Sequence, residues 1–169
     1  MAFVESLVGQ LLWFYGACLF VLGLSLTSEK PDLKSVGIFL VIGAIPNAIL
    51  GFYAMTLGAF LSATLVLMFA VILISAGIIL VRGYGLVPVG DCALFVAISL
   101  VWFTYIFGVE LHEYVLAYIC ASLIIAFLSL TAMSRGKLSL KATGWIFVVE
   151  AFITLLIPSW MYFMGIAPI

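Results

Sequence analysis

The sequence predicts an all-α integral membrane protein in which six transmembrane helices cross the bilayer. Hydrophobic residues make up 67% of the chain and charged residues only 8%. Soluble domains contain about 45–50% apolar residues and about 25% charged residues. One crossing needs about 20 apolar residues, so six spans and their loops use most of the 169 residues. This composition excludes a soluble enzyme domain and a nucleic-acid-binding protein.

Polar and turn-forming residues indicate where the spans end. The segments 28–35 and 82–91 contain charged residues, proline and, in the second, several glycines. Residues 36–81 carry no charge and are about twice as long as one crossing, which predicts two spans that meet near Thr56–Ala59. Because lipid offers the backbone no hydrogen-bond partners, each span is a helix. The predicted spans of this single domain, residues 1–169, are about 7–27, 36–56, 59–81, 92–109, 114–134 and 142–165.

The basic residues predict the orientation of the chain. All of them fall in the loops after the first, third and fifth spans, which share one side of the membrane. The other two loops and both termini carry none. The positive-inside rule therefore predicts a multi-pass protein of the cell (inner or plasma) membrane with both termini on the non-cytoplasmic side. The basic residues are Lys30, Lys34, Arg82, Arg135, Lys137 and Lys141.

Glu150 is the one charge-capable residue deep inside a predicted span. A charged side chain at this depth costs at least about 2.5–3.5 kcal/mol to insert, so such residues are candidates for function. Thr154 lies one turn on, on the same helix face, and Pro158 leaves the Thr154 carbonyl free because proline has no N–H. This stripe of acceptors suits a solute that donates several N–H hydrogen bonds. The alternative role for Glu150 is a structural acceptor between helices.

Two other spans contain polar residues that are candidates for lining the same path. In the second span Pro46 frees the carbonyl of Ile42, and Asn47 lies beside it. In the first span Gln10 and Phe14 share a helix face. Each of these features alone is more often a matter of packing. The predicted pore-lining or solute-binding residues are Glu150, Thr154, Pro158, Asn47, Gln10 and Phe14.

The sequence contains no pattern that is typical of a metal, cofactor or catalytic site. Cys18, Cys92 and Cys120 lack the C-x-x-C spacing of a metal site, and their odd number argues against a disulfide framework. Glu150 has no second titratable group at a matching depth, and no nucleophile–base pair is apparent. We therefore expect no catalytic residue, no metal, no cofactor and no enzymatic activity.

Four segments carry a resemblance to a known family. Residues 148–160 read VVEAFITLLIPSW, which resembles the last span of the urea channel and short-amide transporter family, with its pattern E…T…IP-x-W. Residues 11–16 read LLWFYG and resemble the family's opening LLYVG. Residues 30–35 read KPDLKS and resemble its first loop, K-x-D-x-K-S. Residues 94–98 read LFVAI and resemble its fourth span. The sequence is thereby similar to this family over most of its length.

The resemblance implies a homo-hexameric ring in which every protomer has its own pore for urea or short amides. The family's buried glutamate maps onto Glu150. The chain also departs from the family pattern. Its fifth span, 114–134, lacks the tryptophans that flank the solute in other members, and residues 71–73 read VIL where an aromatic F-T-Y string is expected. The histidine-bearing outer loop of acid-gated members is nearly absent.

Three functions remain open from the sequence. The favoured one is a passive channel for urea or similar small uncharged amides without strong acid gating, although His112, in an outer loop, belongs to the residue type that senses physiological pH. The second is a channel for a small monocarboxylate such as acetate, which would need a cationic or amide-lined constriction and would be opposed by an ionised Glu150. The third is a non-transporting assembly subunit of a membrane complex.

Overall fold

The computed structural model describes residues 2–165, and their side chains from residue 7 onward. Two π-helical segments are present in this part of the chain, π1 (Ile106–Glu110) after α4 and π2 (Ala151–Leu156) between α6 and α7. The α-helices are α1 (Ala2–Thr27), α2 (Leu33–Thr56), α3 (Phe60–Arg82), α4 (Val87–Tyr105), α5 (Tyr114–Ser134), α6 (Leu140–Glu150) and α7 (Ile157–Phe163).

Six segments of the described chain are long and apolar enough to cross a membrane, which confirms the predicted number of long apolar helices. The fourth span combines α4 with π1, and the sixth combines α6, π2 and α7 without a break. The spans are Leu7–Thr27, Leu33–Thr56, Phe60–Arg82, Val87–Glu110, Tyr114–Ser134 and Leu140–Phe163.

Three spans begin ahead of their predicted first residues, because the residues that start a helix read as loop in the sequence. The Asp32 carboxylate accepts a hydrogen bond from the Ser35 N–H at 3.1 Å, so α2 begins at residue 33 rather than 36. The Ser139 hydroxyl accepts one from the Ala142 N–H at 3.1 Å, so α6 begins at residue 140 rather than 142. Pro88 lies in the first turn of α4, where proline is tolerated, and the helix begins at residue 87 rather than 92.

Short connections make successive spans antiparallel, so α1, α3 and α5 run in the same direction. One end of the bundle carries the start of α1 and the connections 57–59 and 111–113, and we call it the N-terminal face. The other end, the basic face, carries the connections 28–32, 83–86 and 135–139. An ion pair at 2.8 Å between Arg135 and Asp91 joins α5 to α4 on the basic face.

Glycine pairs hold two of the helix contacts together at backbone distance. A Cβ built on Gly77 of α3 would lie 2.5 Å from the carbonyl oxygen of Gly37 on α2, and one built on Gly144 of α6 would lie 2.7 Å from that of Gly23 on α1. A backbone oxygen cannot move aside, so no larger residue fits at these positions. Small residues provide the close packing that joins helices in lipid, where the hydrophobic effect does not.

Candidate functional site

A cavity that we call the main cavity lies between the three parallel helices α1, α3 and α5, and has a volume of about 80 Å³. The fourth and sixth spans each add one residue to the wall, Phe107 from π1 and Leu155 from π2. It is lined by Val8, Leu11, Leu12, Tyr15, Leu19, Ser62, Leu65, Val66, Phe69, Ile72, Leu73, Phe107, Leu116, Ile119, Cys120, Leu123, Phe127 and Leu155.

The wall of the main cavity offers very little hydrogen bonding. Tyr15, Ser62 and Cys120 are the lining residues with a hydroxyl or thiol, and the rest are hydrocarbon. The Tyr15 hydroxyl is already used, because it donates a hydrogen bond to the Val66 carbonyl oxygen at 2.5 Å. A solute in this cavity therefore contacts mainly apolar side chains and loses most of its bonds to water.

A second cavity, the minor cavity, continues the same axis toward the basic face and has a volume of about 30 Å³. On each of α1, α3 and α5, the lining of the main cavity ends at one residue, and the lining of the minor cavity starts three residues later, about one helical turn nearer the basic face. The steps are from Leu19 to Leu22 on α1, from Leu73 to Ala76 on α3, and from Phe127 to Leu130 on α5. The minor cavity is lined by Leu22, Leu26, Leu33, Ala76, Leu80, Leu86, Val89, Leu130 and Met133.

Three aromatic residues in mutual contact, which we call the aromatic chain, cross the bundle within the lining of the main cavity. Phe127 of α5 stacks on Phe69 of α3, with ring centroids 5.6 Å apart and planes at 13°. Phe69 in turn meets Tyr15 of α1 edge to face at 5.3 Å and 75°. These three residues connect the three helices that line both cavities.

Both π-helical segments contribute to the site. π1 ends the fourth span and presents Phe107, while π2 begins directly after Glu150 and presents Leu155 to the main cavity. The wider π-helical turn shifts the register of the side chains that follow, and such turns occur frequently at functional sites. In the sixth span this shift lies between Glu150 and Pro158.

Glu150 belongs to a polar cluster that joins α5 to the sixth span. The Ser122 hydroxyl donates to Glu150 Oε2 at 2.6 Å, and the Thr154 hydroxyl lies 2.5 Å from the same oxygen and 2.8 Å from Ser122 Oγ. Among the described residues no hydrogen bond reaches the other oxygen, Oε1. The cluster lies beside the cavity wall, because Leu123 and Leu155 are chain neighbours of Ser122 and Thr154 and line the cavity themselves.

The predicted site residues occupy different places in the structure. Glu150 and Thr154 are brought together in the polar cluster. Asn47 is fully buried, and its amide donates to the Gly43 carbonyl of its own helix at 3.3 Å. Pro158 is buried, whereas Gln10 is exposed and Phe14 is half-buried with its ring against Trp13. In the described part of the chain, none of the six lines either cavity.

The sequence analysis missed Ser122 and the aromatic chain. Ser122 reads as one of many small residues suited to helix packing. The signal that could have found it is depth, since Ser122 and Glu150 lie at similar separations from the connection 135–139 on adjacent antiparallel spans. Tyr15, Phe69 and Phe127 gave no signal, because aromatic residues are common throughout the chain.

The N-terminal face carries acidic groups beside the only histidine. The Tyr105 hydroxyl donates to Glu110 Oε1 at 3.0 Å. His112 has a φ of +58°, and its ring lies 6.2 Å from that of Tyr114. Partial burial raises the pKa of Glu113. No group of three or more His, Cys, Asp or Glu side chains that could hold a metal occurs among the residues described.

Residues 7–166 match the family model of the AmiS/UreI family transporters. The chain belongs to the AmiS/UreI transporter family. The resemblance found in the four short segments is thereby confirmed. Membership in this family makes the chain a multi-pass membrane transport protein, and the expectation that it is not an enzyme is confirmed as well. No curated protein sequence matches the chain significantly.

Two solved structures share the fold of this chain. The crystal structure of the urea channel from the human gastric pathogen Helicobacter pylori superposes with a TM-score of 0.80 at 21% identity, covering 94% of this chain and 98% of that one. A cryo-EM structure of the Helicobacter pylori urea channel in its closed state gives a TM-score of 0.80 at 22% identity, covering 92% and 97%. At these identities the likeness is one of fold.

Proposed function

We propose that this chain is a passive channel for urea or similar small uncharged amides, with one path in each protomer. The observation that carries the proposal is the pair of cavities in line within a single helical bundle, on the helices α1, α3 and α5. Membership in a transporter family and the fold shared with a urea channel support the same function.

The chemistry of the cavity wall favours an uncharged solute. A polar group that leaves water without a new partner costs several kcal/mol, and an ion costs far more. None of the lining residues is Lys or Arg, so nothing in either wall attracts a carboxylate. An acetate-type permeant therefore has no support from the wall.

In this proposal the polar cluster supplies the acceptor beside the path. Glu150 and Thr154 lie beside the lining residues of the main cavity, and Glu150 Oε1 is the oxygen that we assign as acceptor for an N–H group of the permeant. Asn47, Gln10, Phe14 and Pro158 lie outside the two cavity walls, and we assign them no contact with the permeant along this path.

The orientation and assembly of the channel are part of the proposal. The basic face is cytoplasmic, because it carries every Lys and Arg of the chain. The assembly is a homo-hexamer in the cell membrane, whose subunits meet through apolar faces such as those exposing Ile49, Phe52 and Phe95. Its molecular mass in lipid nanodiscs, measured by native mass spectrometry, tests the hexamer: monomers or another ring size would contradict it.

A flux assay tests the proposed function. Proteoliposomes are shrunk by a gradient of urea, acetamide or propionamide, and their re-swelling is followed by stopped-flow light scattering. We expect faster re-swelling than in empty liposomes for at least one of these solutes, and no acceleration for acetate. Rates equal to those of empty liposomes across the panel would refute a channel for small amides.

The same assay tests acid gating. With one histidine in the chain, located in a short connection at the N-terminal face, we expect flux to change by less than about twofold between pH 7.5 and pH 5.5, the range over which His usually titrates. A steep dependence that disappears in His112→Gln would show that this residue gates the channel.

A further inference from the structure

The linings of the two cavities meet at one level of the bundle, and we call the side chains at this level the layer between them. On each odd-numbered helix the lining of one cavity stops and that of the other starts one turn later. A solute that follows the axis must pass this layer. Among the deepest lining residues of the main cavity, Leu19 and Leu73 are aliphatic and Phe127 carries an aromatic ring.

The aromatic chain fixes two of its members more firmly than the third. Tyr15 is anchored by its hydrogen bond to the Val66 carbonyl and is buried, and Phe69 is buried between its two aromatic neighbours. Phe127 is the last ring of the aromatic chain; it stacks on Phe69 alone and is partly exposed. It is therefore the least buried of the three rings, and it can rotate without breaking a hydrogen bond.

We propose that Phe127 is the barrier between the two cavities and sets the size limit of the permeant. With the ring stacked on Phe69, the main cavity ends at this layer. Rotation of the Phe127 side chain joins the cavities into one path, and the space that it releases limits the solute that passes. An apolar constriction of this kind also blocks water, because a narrow apolar passage empties of water.

The inference rests on the proposed function for its solute, but osmotic water permeability tests it separately. In Phe127→Ala we expect the propionamide-to-urea flux ratio to rise by about tenfold, the lower end of the discrimination that one methylene gives in an apolar site. We expect the water permeability of the proteoliposomes to rise in the same variant. In Phe127→Trp both should fall below the wild-type values.

Leu128→Ala is the matched control. Leu128 neighbours Phe127 on α5 but is 46% exposed on the outside of the bundle, so its truncation should leave flux ratio and water permeability unchanged. Phe127→Leu, which keeps most of the apolar volume, is the second test variant in case the alanine variant fails to fold. It should shift both quantities in the same direction as alanine, by a smaller factor.

The outcomes separate this inference from the proposed function. If wild-type protein conducts no amide but Phe127→Ala or Phe127→Leu raises water permeability, the barrier stands and the assignment of the solute fails. If wild-type protein conducts amides while the substitutions at Phe127 behave like Leu128→Ala in both measurements, the proposed function stands and Phe127 is not the barrier. Unchanged water permeability in every variant overturns the inference whatever the solute.

Discussion

Glu150 and Asn47 are both buried polar side chains within membrane spans, but the structure holds them in different ways. Glu150 takes hydrogen bonds from Ser122 on α5 and from Thr154 on its own span. Asn47 is bonded only to the Gly43 carbonyl of its own helix, and its Oδ1 accepts no hydrogen bond from any described residue. One group joins two spans and the other joins none.

The difference shows two ways of packing helices in lipid. Around Asn47, close packing makes the contact between helices, because the Cys18 sulfur of α1 lies against Gly43 of α2 where a Cβ would stand. Around Glu150, hydrogen bonds make the contact, beside the cavity wall and at the start of π2. The two hydrogen bonds hold the Glu150 carboxylate in one position. Close packing, as at Gly43, joins helices without fixing any polar group.

The largest effect is expected from Glu150→Leu. It removes the acceptor that the Ser122 and Thr154 hydroxyls share and leaves them only each other as partners. The loss of a partner costs a buried hydroxyl such as that of Thr154 about 1–3 kcal/mol. We expect amide flux in proteoliposomes to fall by at least about tenfold and the thermal unfolding temperature in detergent to fall as well.

Glu150→Gln is the control for this prediction. Its side-chain carbonyl can still accept from both hydroxyls, so the unfolding temperature should stay near the wild-type value. If Gln also keeps full flux and selectivity, Glu150 is a structural acceptor and takes no part in permeation.

A smaller effect is expected from Ser122→Ala, which removes one of the two donors to Glu150. Hydrogen bonds between helices in membranes contribute about 0.6 kcal/mol on average and up to about 1.7 kcal/mol. We expect a loss of unfolding free energy in this range, together with a change in flux because the carboxylate is less well fixed.

Ser129→Ala is the matched control on the same helix. The Ser129 hydroxyl is buried and donates to the Ala126 carbonyl of α5 itself at 2.7 Å, so its loss should leave flux unchanged. A thermodynamic cycle that combines Ser122→Ala with Thr154→Ala should show coupling, since both hydroxyls share one oxygen. Additive effects would contradict a shared site.

A near-neutral result is expected from Asn47→Leu. The two side chains are similar in size, and the substitution removes both an internal hydrogen bond and a buried oxygen without a partner, a combination that is close to neutral. We expect the unfolding free energy in detergent to stay within about 0.5 kcal/mol of wild type. A loss of flux with unchanged stability would instead place Asn47 on the path.

The smallest effect concerns an exposed acid, Asp32. Its hydrogen bonds from Ser35 and the nearby charge of Lys34 lower the pKa of its carboxyl. A lowered pKa stabilises the fold above the ordinary carboxyl range, and this contribution is lost as the pH falls through the lowered value. Asp32→Asn keeps a good helix cap and should therefore lose less stability than wild type on acidification, as measured by unfolding temperature at pH 6 and pH 3.

The number of spans could be predicted from the sequence because hydropathy is a local property. The charge-free run 36–81 and the turn at Gly58 together locate two helices without any knowledge of their neighbours. The π-helical segments could not be predicted, since π1 contains residues that fit an ordinary helix equally well. Pro158 indicated an irregular sixth span but not that the irregularity begins directly after Glu150.

The candidate site was only partly predictable. Glu150 and Thr154 stand out because they are polar residues one turn apart in an apolar helix. Ser122 lies 28 residues from Glu150 in the sequence and becomes its hydrogen-bond partner only in the folded protein. Nothing in the sequence around Ser122 indicated this contact. The cavity walls and the lipid-facing surface consist of the same residue types, namely leucine, valine and phenylalanine. Residue type therefore could not show that Phe127 lines a cavity while Leu128 faces outward.

The layer at Phe127 has a consequence for the energy supply of the cell. Protons cross membranes along unbroken files of hydrogen-bonded water, and a constriction made of phenylalanine and leucine breaks such a file. In the path that we propose, a neutral molecule passes by displacing the ring, whereas a proton meets no hydrogen-bonded water along which to cross. If Phe127 is the barrier that we propose, a membrane rich in this protein would admit small amides and still hold its electrochemical gradient.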